Sequence, residues 1–193
     1  MNRSSVSHTE THLPGEFGIW LFVIGDMSVF GLLFGTYMFY RADSPDLYAQ
    51  SQLALNKNFG ALNTLLLLCS SWLVAMAVQH AKAGRGAFVP VGVAGAFCCG
   101  AGFAIIKIIE YWQKFAAGIT PSTNDFYMFY FVLTGVHFLH LLFGMGVLAY
   151  MWLRFRICEW TPGDQSTLES GASFWHLIDL LWIVLFPLLY LLR

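Results

Sequence analysis

The chain has 193 residues, of which 58% are hydrophobic and only 11% are Asp, Glu, Lys or Arg, where a soluble domain carries about 25% charged residues. That balance argues against a water-soluble enzyme, and a formal net charge of -1 leaves no basic field to hold nucleic acid. Five apolar stretches of about 20 residues, the length a helix needs to cross hydrocarbon, instead point to an all-α integral membrane bundle of five transmembrane helices.

Residues 1–16 are polar (Arg3, His8, Glu10, His12, Glu16) and lack the apolar core of a cleaved signal, so they read as a short N-terminal tail. Residues 17–193 read as a single five-helix membrane domain. The first span covers about 17–40, with Asp26 as its one ionisable residue, and stops at Arg41-Ala-Asp-Ser-Pro45. Residues 41–60 read as a polar connection. The second span, about 61–79, ends at the glycine-rich turn from His80 to Gly86. The third, about 87–111, places Gly92, Ala96, Gly100 and Ala104 four apart. Small residues along one helical stripe let a neighbouring backbone approach closely, and Gly31 and Gly35 repeat the device in span one; both stripes are expected to pack helices. The fourth span, about 126–153, is followed by a polar loop holding Arg154, Arg156, Glu159, Asp164 and Glu169. The fifth, about 174–192, ends at Arg193. Of the four cysteines, Cys69, Cys98, Cys99 and Cys158, three lie in apolar stretches and none forms a C-x-x-C spacing, which argues against a disulfide framework or a zinc site.

Five spans put the termini on opposite sides. Arg3, Lys82, Arg85, Arg154 and Arg156 fall on the N-terminal side and Arg41, Lys57, Lys114 and Arg193 on the other, an imbalance that favours a cytoplasmic N-terminus and a periplasmic C-terminus.

Ionisable residues inside a span cost about 2.5 to 3.5 kcal/mol each on insertion scales and carry a functional hypothesis by default. Asp26, Lys107, Glu110, His137, His140, His176 and Asp179 are the candidates, and Lys107/Glu110, His137/His140 and His176/Asp179 are each three apart, hence on shared helix faces. Lys107 with Glu110 reads as an ion pair near the membrane edge, able to snorkel. Histidines on one face raise a haem or metal reading. Measured from the expected loop, however, His140 and His176 differ in depth by about 12 Å at 1.5 Å per residue, too much for one iron, so hydrogen-bonded packing is the favoured reading and no metal site is assigned. His176 and Asp179 are expected to form a structural pair near the loop-side end of span five, with Trp175 and Trp182 anchoring and packing it. Asp26 lies about 15 Å into its span, where it must be protonated or hydrogen-bonded; structural and proton-handling roles stay open.

Phe174-Trp-His-Leu-Ile-Asp-Leu-Leu-Trp182, Thr134-Gly-Val-His-Phe-Leu-His140 with Gly144, and Phe103-x6-Glu110-Tyr111 resemble three successive signatures of the subunit III family of haem–copper oxidases. Gly18-Ile-Trp-Leu-Phe-Val-Ile-Gly-Asp26 and Asn63-Thr64 also look like family features. The resemblance covers about residues 14–192. Full-length members have seven spans, and this chain looks like the five-span form lacking the first two, with its Leu13-to-Met27 opening closest to the NorE-type branch associated with nitric oxide reductase.

The resemblance implies an accessory, non-redox subunit of a bacterial inner-membrane respiratory complex. It would carry no haem or metal of its own, dock beside a haem-bearing catalytic subunit of oxidase or nitric oxide reductase type, hold phospholipid in a cleft and support proton uptake. No catalytic residue is implied. Asp26 stands where many members have Glu, and Lys107 where relatives often have Gln or Glu, which weakens any proton role carried over to Glu110. The rival readings are a self-sufficient b-type cytochrome, motivated by the histidines, and a small transporter, motivated by Asp26, although no internal repeat supports the latter.

Overall fold

A computed structural model describes residues 17–157 and 162–192; the polar tail, Cys158, Glu159 and Arg193 lie outside the described residues. The described residues form six α-helices and no strand. They are α1 (Phe17–Asp43), α2 (Pro45–Leu53), α3 (Lys57–Lys82), α4 (Val89–Ala116), α5 (Asp125–Ile157) and α6 (Pro162–Phe186). Five of them are long and apolar enough to cross a membrane.

Helices α3, α4, α5 and α6 pack in an up-down-up-down bundle in which α3 touches α4 and α6, and α5 touches the same two. The joints between them carry local signals. Gly84 and Gly118 adopt positive φ of 72° and 74°, and Arg85 N–H and Ile119 N–H then reach back to the carbonyls of His80 and Lys114, both at 2.9 Å. This is the glycine-terminated helix end that satisfies otherwise orphaned carbonyls. Asn124 caps α5 by accepting from Tyr127 N–H at 2.9 Å.

The connection at 41–60 is not merely a polar loop. Pro45 opens α2, where its missing N–H costs nothing, and α2 buries Tyr48, Ser51 and Gln52 against α1 and α5. The long polar loop expected after residue 153 is also corrected. Arg154 and Arg156 belong to the last turn of α5, while Asp164 and Glu169 belong to the opening turns of α6. Ion pairs hold these helical extensions together, Arg154 to Asp164 at 3.2 Å and Lys82 to Glu169 at 3.2 Å. Charged helix ends therefore project past the apolar core instead of unwinding.

The small-residue stripe of α4 lies against α3 and α6. A Cβ on Gly92 would meet Ala77 Cβ at 3.1 Å and the Leu73 carbonyl at 3.2 Å, and one on Gly100 would meet the Trp175 ring at 2.9 Å. Ala96 and Ala104 are buried beside them. Gly31 and Gly35 correct the parallel expectation for α1, because nothing lies within 4 Å of a Cβ on either. Helix α1 leans on α5 and α6 through Val23, Asp26, Phe30, Phe34 and Tyr37, and its glycines lie on the opposite, outward face. With no hydrophobic drive between helices in lipid, glycine spacing marks a helix able to pack closely without saying against what.

The C-terminal turn, Pro187–Leu191, is a π turn. Pro187 has no N–H to continue the α-helical ladder, and Leu192 N–H bonds the Pro187 carbonyl five residues back, at 2.9 Å. The Leu188 carbonyl accepts from Tyr37 O–H at 3.2 Å and from the Gln52 amide at 3.3 Å, tying this turn to α1 and α2.

Candidate functional site

The intramembrane polar residues gather into three groups. The first centres on Lys107, which is 1% exposed, as is Glu110. Their ion pair forms at 3.0 Å, but it is enclosed, which corrects the reading of a snorkelling pair near the membrane edge. Lys107 Nζ also donates to Tyr130 O–H at 3.2 Å and Tyr190 O–H at 3.1 Å. The three N–H bonds of an ammonium thus meet three oxygens. Tyr190 O–H donates in turn to the other Glu110 oxygen at 2.6 Å. The rings of Tyr111, Tyr130, Trp182 and Tyr190 surround the ammonium at 4.8 to 5.6 Å from their centroids, placing it among negative π faces. One cation and one anion, saturated by phenols, clamp α4, α5 and the C-terminal turn together.

The second group joins α6 to α3. Trp175 Nε1–H donates to Ser70 Oγ at 2.9 Å, and Ser70 passes its own hydrogen to the Ala96 carbonyl at 3.0 Å. Trp182 Nε1–H donates to Thr64 Oγ1 at 3.0 Å, which bonds the Gly60 carbonyl at 2.9 Å. Both indoles are fully buried, so they pack in the core of the bundle and do not lie at the membrane surface. His176 Nδ1 bonds Ser71 Oγ at 2.6 Å and lies 3.9 Å from Asp179 Oδ2, so Ser71 is the closer partner. The pair lies well inside α6 and not at its loop-side end. Because α6 starts at Pro162, His140 and His176 lie 17 residues before Ile157 and 14 after Pro162 respectively, an offset of roughly 5 Å. Depth therefore does not separate these histidines; direction does, since His176 faces α3, whereas His140 faces α1.

His137 is fully buried and its Nε2–H donates to the Ile178 carbonyl of α6 at 3.1 Å, beside the rings of Phe103 and Trp182. Among the described residues no group of three or more His, Cys, Asp or Glu side chains is disposed to hold a metal ion, and Cys69, Cys98 and Cys99 are free thiols.

The third group is Asp26 with His140. Asp26, the one ionisable residue of its span, finds its partner on another helix. Its Oδ1 lies 3.1 Å from His140 Nε2, and its side chain is 9% exposed. His140 Nδ1 lies 2.8 Å from the Val136 carbonyl, an oxygen that can only accept, so Nδ1 carries a hydrogen. Two lone pairs cannot face each other at 3.1 Å. The contact with Asp26 therefore needs one further proton, held either as the carboxylic acid or as imidazolium. The partner of Asp26 is His140 on α5, not Lys107, which is engaged with Glu110. Sequence reasoning missed this pair, together with Tyr130, Tyr190 and Ser71, because helix spacing reports neighbours on one helix and is silent about which helices touch.

These groups define a helical integral membrane protein whose polar interior is arranged across helix interfaces. The family model for cytochrome c oxidase subunit III matches residues 4–192, and the chain belongs to that family. It is 33% identical to cytochrome bo(3) ubiquinol oxidase subunit 3 of Pseudomonas putida, over 91% of this chain and 84% of the relative. It is 29% identical to cytochrome c oxidase subunit 3 of Synechocystis, over 94% and 82%. It is also 24% identical to the heme-copper oxidase subunit I+III of Aeropyrum pernix, over 90% of this chain and 22% of that one. Subunit III is a non-catalytic accessory subunit of haem–copper oxidases and partners their catalytic subunit I.

Proposed function

We propose that this chain is the accessory subunit of a bacterial inner-membrane haem–copper terminal oxidase, that it stabilises the haem-bearing catalytic subunit beside it, and that it supports proton uptake through Asp26 and His140. The chain would lie with its N-terminus in the cytoplasm and its C-terminus in the periplasm, and haem and copper would reside in the partner. The observation that carries the proton role is the Asp26–His140 contact, whose geometry requires one exchangeable proton beyond the one on His140 Nδ1. Asp26 Oδ2 makes no hydrogen bond among the described residues and is enclosed, so the pair has an acceptor to spare where a proton could be handed on.

An oxidase is favoured over a nitric oxide reductase because the relatives quoted above are oxidase subunits; the NorE-type branch rests on the opening motif and the short length alone. The test is Asp26→Asn in the assembled complex. Asn keeps the shape and accepts or donates a hydrogen bond to His140 but does not exchange the proton. Normal assembly and an unchanged haem spectrum with turnover that falls, or that declines during sustained turnover and shifts its pH profile, is the expected outcome. Wild-type turnover with an unchanged pH profile would make Asp26 a packing residue and end the proton role.

A further inference from the structure

The α3–α4 seam brings two cysteines to one level. The helices run antiparallel, and contacts at three heights fix their register. A Cβ on Gly95 would meet Leu73 Cδ1 at 3.0 Å, Ser70 Oγ bonds the Ala96 carbonyl at 3.0 Å, and a Cβ on Gly102 would meet Leu66 Cδ1 at 3.3 Å. On α3, Cys69 falls between Leu66 and Leu73 at steps of three and four residues, and on α4, Cys99 falls between Gly102 and Gly95 at the same steps. Such steps stay on one helix face. Each cysteine therefore stands opposite the other, between two contacts where a glycine admits the facing leucine, and the Cys69 thiol is within electrostatic reach of Cys99. Cys98, one residue earlier, is turned about 100° away and faces Ala149 and Trp152 of α5.

The depth of the pair decides its chemistry. Cys69 lies 12 residues from the start of α3 and 13 from its end, roughly 18 to 20 Å from either, close to the midplane of a hydrocarbon layer about 30 Å thick. Cys69 is exposed on the outer side of the seam and Cys99 partly so, both as free thiols. Metal binding and thiol–disulfide exchange need the thiolate, a bare charge that hydrocarbon penalises heavily. A disulfide is neutral. We infer that Cys69 and Cys99 are a redox-active pair that closes to a disulfide across α3 and α4, with a lipid-soluble quinone as the oxidant. Both S–H bonds break and one S–S bond forms, while two electrons and two protons pass to the two quinone oxygens to give the quinol. No charge is left in the hydrocarbon, and polar oxidants do not reach this depth. The pair acts apart from the Asp26–His140 contact and adds a redox site that the proton role does not require.

The experiment uses the full chain, reduced and reconstituted in phosphatidylcholine vesicles, with either decylubiquinone or oxidised glutathione added. After an acid quench and alkylation of the remaining thiols, trypsin cuts after Lys57, Lys82, Arg85 and Lys107, so Cys69 leaves on peptide 58–82 and both Cys98 and Cys99 leave on peptide 86–107. Wild type with the quinone should yield these two peptides joined, two hydrogens lighter than their sum, with one quinol formed per link; oxidised glutathione should yield none. Cys98→Ser should keep the wild-type yield, whereas Cys69→Ser and Cys99→Ser should each lose the link. Cys98→Ala and Cys99→Ala repeat the comparison with apolar replacements, in case a hydroxyl disturbs the seam. Absence of the linked peptides in wild type, a link that survives Cys99→Ser and Cys99→Ala, or equal yields from the quinone and oxidised glutathione would overturn the pair. So would a disulfide confined to peptide 86–107, which would mean that Cys98 and Cys99 react with each other, or a quinone adduct on either cysteine in place of the link.

Discussion

Replacing Glu110 by Gln leaves the Lys107 ammonium enclosed with two phenol oxygens and no counter-charge. In lipid-embedded bundles an ordinary interhelical hydrogen bond contributes about 0.6 kcal/mol on average and about 1.7 at most. Breaking a buried ion pair by removing one partner is far more costly, about 3 to 5 kcal/mol, because the remaining charge stays desolvated. The geometry here belongs to the second case: both side chains are 1 to 2% exposed and all three ammonium hydrogens are used. Glu110→Gln should therefore lower stability by about 3 kcal/mol or more, whereas Tyr130→Phe, which removes one neutral partner, should cost no more than about 1.7. The double change Lys107→Met with Glu110→Gln removes both charges from a cage already apolar on its ring faces, and should recover most of the loss. The assay is reversible denaturant unfolding of the purified chain in mixed micelles, followed by tryptophan fluorescence, since Trp182 lies 5.4 Å from Lys107 Nζ. A double-mutant cycle in which the double variant loses the sum of the two single losses would refute the reasoning, because the pair would then contribute nothing that depends on both charges.

Gly144→Val should destabilise by about 1 to 3 kcal/mol through overpacking, since a Cβ there would come within 2.5 Å of Ile178 and 2.9 Å of the Trp175 ring; Gly35→Val, on an open face, should leave the unfolding midpoint of the isolated chain unchanged within error. Ser70→Ala should cost about 0.6 to 1.7 kcal/mol, because the Trp175 indole loses its acceptor and the Ala96 carbonyl its extra donor, and a blue shift of the Trp175 emission would report the lost bond. A periplasm-dependent reporter fused after Arg193 should be active, and activity confined to a cytoplasmic reporter at that position would reverse the proposed topology.

The helical class and the existence of the long apolar helices were legible from composition and segment length, because the bilayer imposes one length scale on every crossing element. Boundaries outside the bilayer were less so. Residues 162–173 are polar and read as loop, yet they fold as helix because Asp164 and Glu169 find Arg154 and Lys82 on neighbouring helices, partners that hydropathy does not see. The same limit governs the site. Of the residues singled out for charge, Lys107, Glu110, His137 and Asp179 are buried while His140 and His176 are partly exposed, and Lys107 with Glu110 was visible from three-residue spacing. That Asp26 meets His140 could not be read from either helix alone, since 114 positions separate them and the contact depends on how α1 rotates against α5. Gly31 and Gly35 fail for the complementary reason: α1 turns its small residues away from the bundle.

The attachment of α1 has a thermodynamic corollary. The helix is apolar on nearly all sides, so within a bilayer it can separate from the bundle and remain a helix, losing its contacts with α2, α5, α6 and the C-terminal turn. Asp26 and His140 face each other solely when α1 is seated. Seating and proton occupancy of the pair are therefore two sides of one coupling free energy. A neighbouring subunit that presses α1 home changes the proton affinity of the pair without touching either side chain, and a change in its protonation changes, by the same factor, how firmly α1 is held.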